Sequence, residues 1–324
     1  SSNNNLVNTP TPSNNTSNNN TNIQCSIGQI KLNGVCQSAT NVCNVEAEKV
    51  WVRGYLDDVY FWYDEIPERQ AGDYASPRNY FDALLVTEKD KFSYTMSKEE
   101  ADGFFESGLQ LSYGVLWAYD ADNSLRVRFV EPNSKAAQAG IMRGDYVVSI
   151  NNQNLNELNE QQINEFLTPK TMASVNIKLM AKHSAVIKDL TLQGENVVTS
   201  PVPYYSVLTT QPNQDKVGYL LFNDHIATAS DKLIEAVNYF KQEQINDLVL
   251  DLRFNSGGYL YVANELAAMI GGSKTSGQLF SKFVYNDKYW DDDYYYAKTS
   301  YPSQKTLPYL NLSRLFVLTS EETC

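Results

Sequence analysis

No window of the 324 residues comes near the ~20 consecutive apolar residues that a membrane-spanning helix needs, and no signal peptide is visible at the start. Basic runs are missing too. Against 38 Asp and Glu stand 26 Lys and Arg, a net charge of −12, and no cluster of cations provides the electrostatic footprint of a nucleic-acid binder. Only two histidines occur, His183 and His225, far apart and without an Asp or Ser partner pattern, so each reads as a hydrogen-bonded structural residue. Cys25, Cys36 and Cys43 lie close together with no histidine nearby, which leaves a structural zinc site incomplete. No metal and no cofactor is expected. A Cys25–Cys36 disulfide closing the loop around SIGQIKLNGV is the preferred reading of that segment, with reduced thiols as the alternative.

What the chain has in excess is polar at one end and aromatic elsewhere. Ser1–Asn22 is almost wholly Ser, Asn, Thr and Pro, cannot bury a core, and is expected to be a disordered tether. Its place at the very start suggests an exported protein, periplasmic or at the cell surface, with its signal already removed and a lipid outside the given chain as one means of membrane attachment. Hydrophobic residues make up 42% of the whole and tyrosine reaches 22, and the length allows two or three domains with cores of their own.

The stretch NDLVLDLRFNSGGYLYVANELAAMIGG, Asn246 to Gly272, organises the rest. Leu248 to Leu252 form a β-favouring apolar run; two adjacent glycines follow; then Leu260, Ala263, Leu266, Ala267 and Ile270 recur at helical spacing. The pattern predicts strand, glycine turn and helix. Adjacent glycines permit backbone conformations barred to other residues and leave N–H groups facing outward, where they suit an anion or a developing oxyanion. DLRFNSGG resembles the Asp-Leu-Arg-x-Asn-x-Gly-Gly signature of the C-terminal processing (tail-specific) serine proteases. That resemblance implies that a glycine of this turn, Gly257 or Gly258, supplies one donor of an oxyanion hole. Asp251 and Arg253 read as an ion pair fixing the strand end.

Around this centre the chain divides into a tether and Cys-containing segment (1–44), a helical region (45–110), a PDZ-like domain (111–193) and the first part of an α/β protease core (194–324). The fold class expected is α+β and multidomain. Val52, Tyr55, Leu56, Val59, Trp62 and Ile66 share one helical face, stopped by Pro67, and Ser76–Leu85 reads as a second helix. From Tyr113 to Ala181 two strands flank a turn at Asp120–Ser124. A short helix capped near Ser134, a strand Tyr146–Ile150, a helix Asn159–Leu167 and the strand SVNIKLM follow. Order and wording, above all Ala136–Asn151, resemble a PDZ domain. Such domains add a peptide as a strand to a sheet edge and hold its terminal carboxylate on loop N–H groups. The corresponding loop here is Ser112–Val115, with Tyr113, Gly114 and Val115 as candidate peptide-binding residues; a module kept only as a scaffold is the alternative. KVGYLLFND, a helix with Thr228 and Asp231 as a variant capping box, DLVLDLR and RLFVLT then imply a mostly parallel, buried sheet. The Tyr-rich segment from Ser273 to Asn311 reads as a hairpin, a partner surface or a solvated loop.

The resemblance places the catalytic Ser in a turn after RLFVLT, and its Lys base further on. This chain reads TSEETC from Thr319 to Cys324, so both are expected beyond Cys324, and the 324 residues are expected to be inactive by themselves. Ser256, Ser320 and Cys324 are weaker nucleophile candidates without an adjacent base. The expected function is a serine endopeptidase of the C-terminal processing type acting on proteins or peptides with free C-termini. The alternatives are an exported, non-catalytic PDZ peptide-binding protein and an inactive, protease-derived scaffold.

Overall fold

The computed structural model describes residues 29–32, 35–38 and 44–323, except 121, 183, 254, 302 and 322. The expectations for Ser1–Asn22, Cys25, Cys43, His183 and Cys324 fall outside these residues. Cys36 is disulfide-bonded, to a partner outside them. The described residues form two compact units, one up to Thr95 together with Val284–Trp290, the other from Met96 to Phe283 and from Asp291 onward.

In the first unit, strands β1 (Gln29–Leu32) and β2 (Val35–Ser38) pair as an antiparallel hairpin. Helix α1 (Val45–Val59) begins where Asn44 Oδ1 accepts the Ala47 N–H at 2.8 Å, and Glu46 and Glu48 complement the positive end of its dipole. Helix α2 (Pro77–Leu84) starts on Ser76, with proline in the first turn, where a missing N–H removes no helical bond. Leu56, Tyr60, Ile66, Tyr80 and Leu84 form their shared core. The helical face expected to run on to Ile66 stops at Val59, and Trp62 and Ile66 reach the core from beyond the helix. Tertiary partners stop it: Tyr60 OH bonds Asp90 at 2.9 Å, and Asn286 Nδ2 donates to the carbonyls of Asp58 (2.7 Å) and Tyr60 (3.1 Å). Lys49, on the same helix, is 1% exposed; its Nζ donates to the carbonyls of Ala71 and Tyr74, each at 2.9 Å, and pairs with Glu46.

The second unit opens with helix α3 (Lys98–Ala101), a π-helical turn at Asp102–Glu106 and strand β3 (Leu109–Ser112). The PDZ-like part follows in the expected order: β4 (Val115–Tyr119), β5 (Leu125–Val130), α4 (Lys135–Gln138), β6 (Tyr146–Ile150), β7 (Gln153–Asn154), α5 (Glu160–Leu167), β8 (Ser174–Met180) and β9 (Ile187–Gln193). Its main sheet runs β4-β5-β6-β8-β9, antiparallel throughout, which leaves β4 at an edge with no further strand partner among the described residues. Val127, Ile150, Ile177 and Leu179 pack beneath Ile163 and Leu167 of α5. Strand β10 (Glu195–Val198) then returns to pair with β3.

Strand β11 (Tyr204–Thr209), β12 (Lys216–Leu221), helix α6 (Ala229–Glu243), β13 (Asp247–Asp251), helix α7 (Leu260–Gly271), the hairpin strands β14 (Leu279–Phe283) and β15 (Asp292–Tyr295), and β16 (Arg314–Leu318) complete the unit. The core sheet runs β11-β12-β13-β16, with β11 antiparallel and the rest parallel. Leu233, Val237 and Phe240 of α6 and Val262, Leu266 and Met269 of α7 bury Leu220, Leu248 and Leu250. Two expectations need correction. Thr228 makes no capping hydrogen bond, its backbone being already helical rather than extended. The sheet is also not buried throughout: Leu315, Phe316, Val317 and Leu318 of β16 are 38–50% exposed, because α6 and α7 cover β12 and β13 but not this edge. Among the described residues no helix is long and apolar enough to cross a membrane.

Candidate active site

Strands β12 and β13 run in parallel, so their carboxyl ends open side by side, and the residues that follow each meet there. Asp251 closes β13, fully buried, and takes Arg253 Nε at 2.9 Å, Nη2 at 2.7 Å and Tyr219 OH at 2.6 Å. Burial alone would raise the pKa of this carboxyl, but these donors hold it below its ordinary range. The ion pair expected of Asp251 and Arg253 is present. Past it, Asn255 folds back under the turn by donating its N–H to Leu252 O, and Thr323 Oγ1 donates to the same carbonyl at 2.8 Å.

Asn255 is 1% exposed and is the hub of the site. Its Nδ2 donates to Phe222 O at 2.9 Å, just past the end of β12, while its Oδ1 accepts the Gly257 N–H at 2.9 Å and lies 2.8 Å from His225 Nδ1. With Oδ1 as acceptor, Nδ1 carries the imidazole proton. Burial lowers the proton affinity of His225 and outweighs its hydrogen bonds, so the ring is neutral near pH 7. The His225 backbone completes the clip: its N–H donates to Gly257 O at 3.0 Å, its carbonyl accepts the Tyr259 N–H at 2.7 Å, and the pair forms a parallel bridge with Gly258.

The clip treats the two glycines differently. The Gly257 N–H is spent on Asn255, whereas Gly258, at φ +129° and exposed, has an N–H with no partner among the described residues. An exposed N–H without a protein partner can receive an anion. His225 is the hydrogen-bonded residue expected of it, but its partner Asn255, 30 residues on, and its place against the glycine turn were not foreseen. Ser256 is exposed, and its hydroxyl has no base beside it among the described residues. Ser320 N–H donates to Thr323 Oγ1 at 2.9 Å, part of the tie between this segment and the turn.

In the PDZ-like part, Tyr113 and Val115 turn their side chains into the core, at 5% and 9% exposure. Gly114, at φ +74°, donates its N–H to Ser112 Oγ at 2.9 Å, and its carbonyl accepts the Glu131 N–H at 2.9 Å. The Tyr113 N–H has no partner among the described residues, and β4 presents the edge to which a strand can add. No group of three or more metal-ligating side chains occurs among the described residues.

A mostly parallel core sheet with a glycine turn at its carboxyl end is joined in one unit to a PDZ-like antiparallel sheet. Family models agree along the chain: residues 47–94 match the peptidase S41 N-terminal domain, 97–180 the PDZ domain and 216–324 peptidase family S41. The chain thus carries peptidase S41 N-terminal, PDZ and peptidase S41 domains, in that order. It is 30% identical over 166 residues to the chloroplastic carboxyl-terminal-processing peptidase 2 of Arabidopsis thaliana, covering 50% of this chain and 32% of that protein. It is 25% identical over 189 residues to the carboxy-terminal processing protease CtpB of Bacillus subtilis, covering 56% and 38%. The chain thus spans about a third of the length of the curated relatives it matches. A crystal structure from Bacteroides fragilis, assigned to the S41 proteases, superposes with a TM-score of 0.62 at 24% identity over 84% of this chain and 72% of that one, a likeness of fold.

Proposed function

We propose that the protein is a serine-type endopeptidase of the C-terminal processing kind. In this reading the PDZ module takes the free C-terminus of a polypeptide along β4, and the Gly258 N–H receives the oxyanion of the scissile carbonyl. The observation that carries it is the exposed Gly258, whose N–H has no partner among the described residues, beside a Gly257 N–H that Asn255 takes. A serine Oγ attacks the carbonyl carbon, a neutral lysine amine takes its proton, and negative charge collects on the carbonyl oxygen next to that donor. Both of those residues are the ones expected after Cys324; the 324 residues supply the donor and the recognition parts. The Gly257 N–H, held by Asn255, acts on the turn rather than on substrate. Export to the periplasm or cell surface fits the disulfide at Cys36, with a lipid anchor as the means of attachment.

The test compares two proteins on an unstructured peptide with an apolar free C-terminus and on its C-terminal amide. The 324-residue chain should bind the free acid more tightly than the amide without turning either over. A protein continuing into the Ser turn and Lys should hydrolyse the free acid. Replacing Gly258 by Pro there should lower the rate by about 10²–10³ through the lost donor, with turn distortion adding to it. Hydrolysis by the 324-residue chain that disappears in Ser256→Ala or Cys324→Ala would overturn the assignment.

A further inference from the structure

The face of the PDZ-like sheet opposite α5 carries a pocket without a role in this reading. Ala118 of β4, Arg126 of β5, Tyr146 of β6 and Met180 of β8 stand side by side in one row across the sheet. Their chain neighbours Val127 and Val147 point into the core, so the row faces outward. Here a pocket of about 200 Å3 has one wall at Ala118–Asp120, the end of β4, and another made of Arg126, Arg128, Arg143 and Lys182. Four cations thus converge in a chain whose net charge is −12. Two of them are already matched. Arg126 lies 3.9 Å above the Tyr146 ring and takes Asp120 at 2.8 Å and Asp122 at 3.0 Å, and Arg128 is engaged as well. Arg143 and Lys182 are exposed, and neither has a carboxylate partner among the described residues. Asp145, beside them in sequence and fold, is fully buried and held by Lys188 Nζ at 2.8 Å and by the N–H groups of Met142 and Lys182. The Lys182 stem crosses Gly144, where an added Cβ would meet its Cδ at 2.5 Å, so the missing side chain at Gly144 is what lets the lysine lie along the pocket. The space is too small for a cofactor-sized ligand and fits the end of one anionic side chain.

We infer that this pocket is a specificity subsite, with Arg143 and Lys182 receiving an acidic side chain of the polypeptide that adds to β4. The inference rests on the PDZ-like part taking a free C-terminus at the Gly114 loop. A peptide whose carboxylate sits at the loop before β4 runs antiparallel to that strand, so its upstream residues pass Ala118 and Tyr119, where the pocket opens. At about 3.3 Å per residue, the residue level with Ala118 stands about three to five positions before the terminal one, and alternation sends every second side chain to the outer face. An Asp or Glu there brings its carboxylate to the two cations that no protein carboxylate offsets. Elsewhere the surplus of acidic residues repels such a substrate, so the pocket selects the position at which an acidic residue is accepted.

Fluorescence anisotropy on the full 324-residue chain tests the subsite without turnover. The probes are labelled, unstructured peptides with an apolar free C-terminus, carrying one Glu moved stepwise along an otherwise uncharged sequence, each paired with its Gln counterpart. Glu about three to five positions before the terminus should bind about three- to tenfold more tightly than Gln at low salt, and the advantage should shrink at high salt. Glu next to the terminus or further upstream should bring no advantage. Arg143→Gln and Lys182→Gln should each remove most of it. Lys178→Gln takes one cation from the same sheet outside the pocket, where it pairs with Asp189, and should keep it. Equal binding of Glu and Gln peptides at every position, an advantage independent of position, one that survives Arg143→Gln or Lys182→Gln, or one lost equally in Lys178→Gln overturns the subsite. The C-terminal amides report separately on the Gly114 loop: amides that bind as well as the free acids overturn the reading on which the subsite rests, and absence of binding by every peptide overturns both.

Discussion

Replacing Gly258 by Ala tests the turn at its tightest point. A Cβ built there would sit 2.5 Å from His225 O, 3.0 Å from His225 C and 3.2 Å from His225 Cβ, and the residue's φ of +129° is one that side-chain-bearing residues rarely adopt. The backbone conformation alone should cost about 1–3 kcal/mol. Relieving the contact means moving the His225 carbonyl, which accepts the Tyr259 N–H at 2.7 Å, and losing that bond adds about 1 kcal/mol. The expected loss is about 2–4 kcal/mol, read as a lower urea midpoint at unchanged slope. Gly140→Ala is the matched control in the same unit: its φ is +73°, but nothing lies within 4 Å of the added Cβ, so only the left-handed backbone penalty of about 1–2 kcal/mol applies. If Gly258→Ala costs no more than Gly140→Ala, the close approach of His225 to the turn, and with it the clip that aims the Gly258 N–H, is wrong.

Gly54→Ala should go the other way, stabilising by about 0.5–1 kcal/mol in thermal unfolding, since Gly54 lies inside α1 with open space around its Cα. Lys49→Ala should destabilise by about 2–4 kcal/mol in the same assay by stranding the carbonyls of Ala71 and Tyr74, and Lys49→Arg should not restore the loss in full. Stability should also depend on pH. Glu131 at about 7 and Asp224 at about 6 stand above their ordinary 4.5 and 3.8, so the folded state binds more protons than the unfolded one between roughly pH 4 and 7. Stability is then fully present below that window and falls as pH rises through it, by on the order of a few kcal/mol. Urea midpoints at pH 5 and 8 measure the difference, and Glu131→Gln should reduce it.

Much of the second unit could be read in advance because its strands and helices bury one face each. Tyr146–Ile150 and Ser174–Met180 are strands at the expected residues, and Asn159 and Ser134 cap the helices that follow them. Local pattern failed where long-range partners decide. The end of α1 is set by Asn286, more than 200 residues away in sequence, and the helical extension through Trp62 looked sound without it. Lys49 counts as a surface charge in any periodicity, yet it is buried because two carbonyls from the 71–74 segment converge on it. At the site, DLRFNSGG located the turn, but the eight letters do not say which glycine N–H the Asn255 side chain takes. Asn255 and His225 make that distinction, and they meet only once β12 and β13 lie side by side.

Strand β16 carries a consequence for handling the protein. Among the described residues no strand pairs with its outer side, which is flanked by Leu315, Phe316, Val317 and Leu318, and Arg314 beside it is engaged by Asp247 at 2.6 and 2.7 Å. Such an edge is a template on which any extended chain can crystallise a further strand. Two copies meeting in solution would present the same apolar ribbon to each other. The yield of dispersed 324-residue protein should therefore fall with concentration even when every molecule is correctly folded, and a single lysine in place of Val317 should raise the concentration at which turbidity begins.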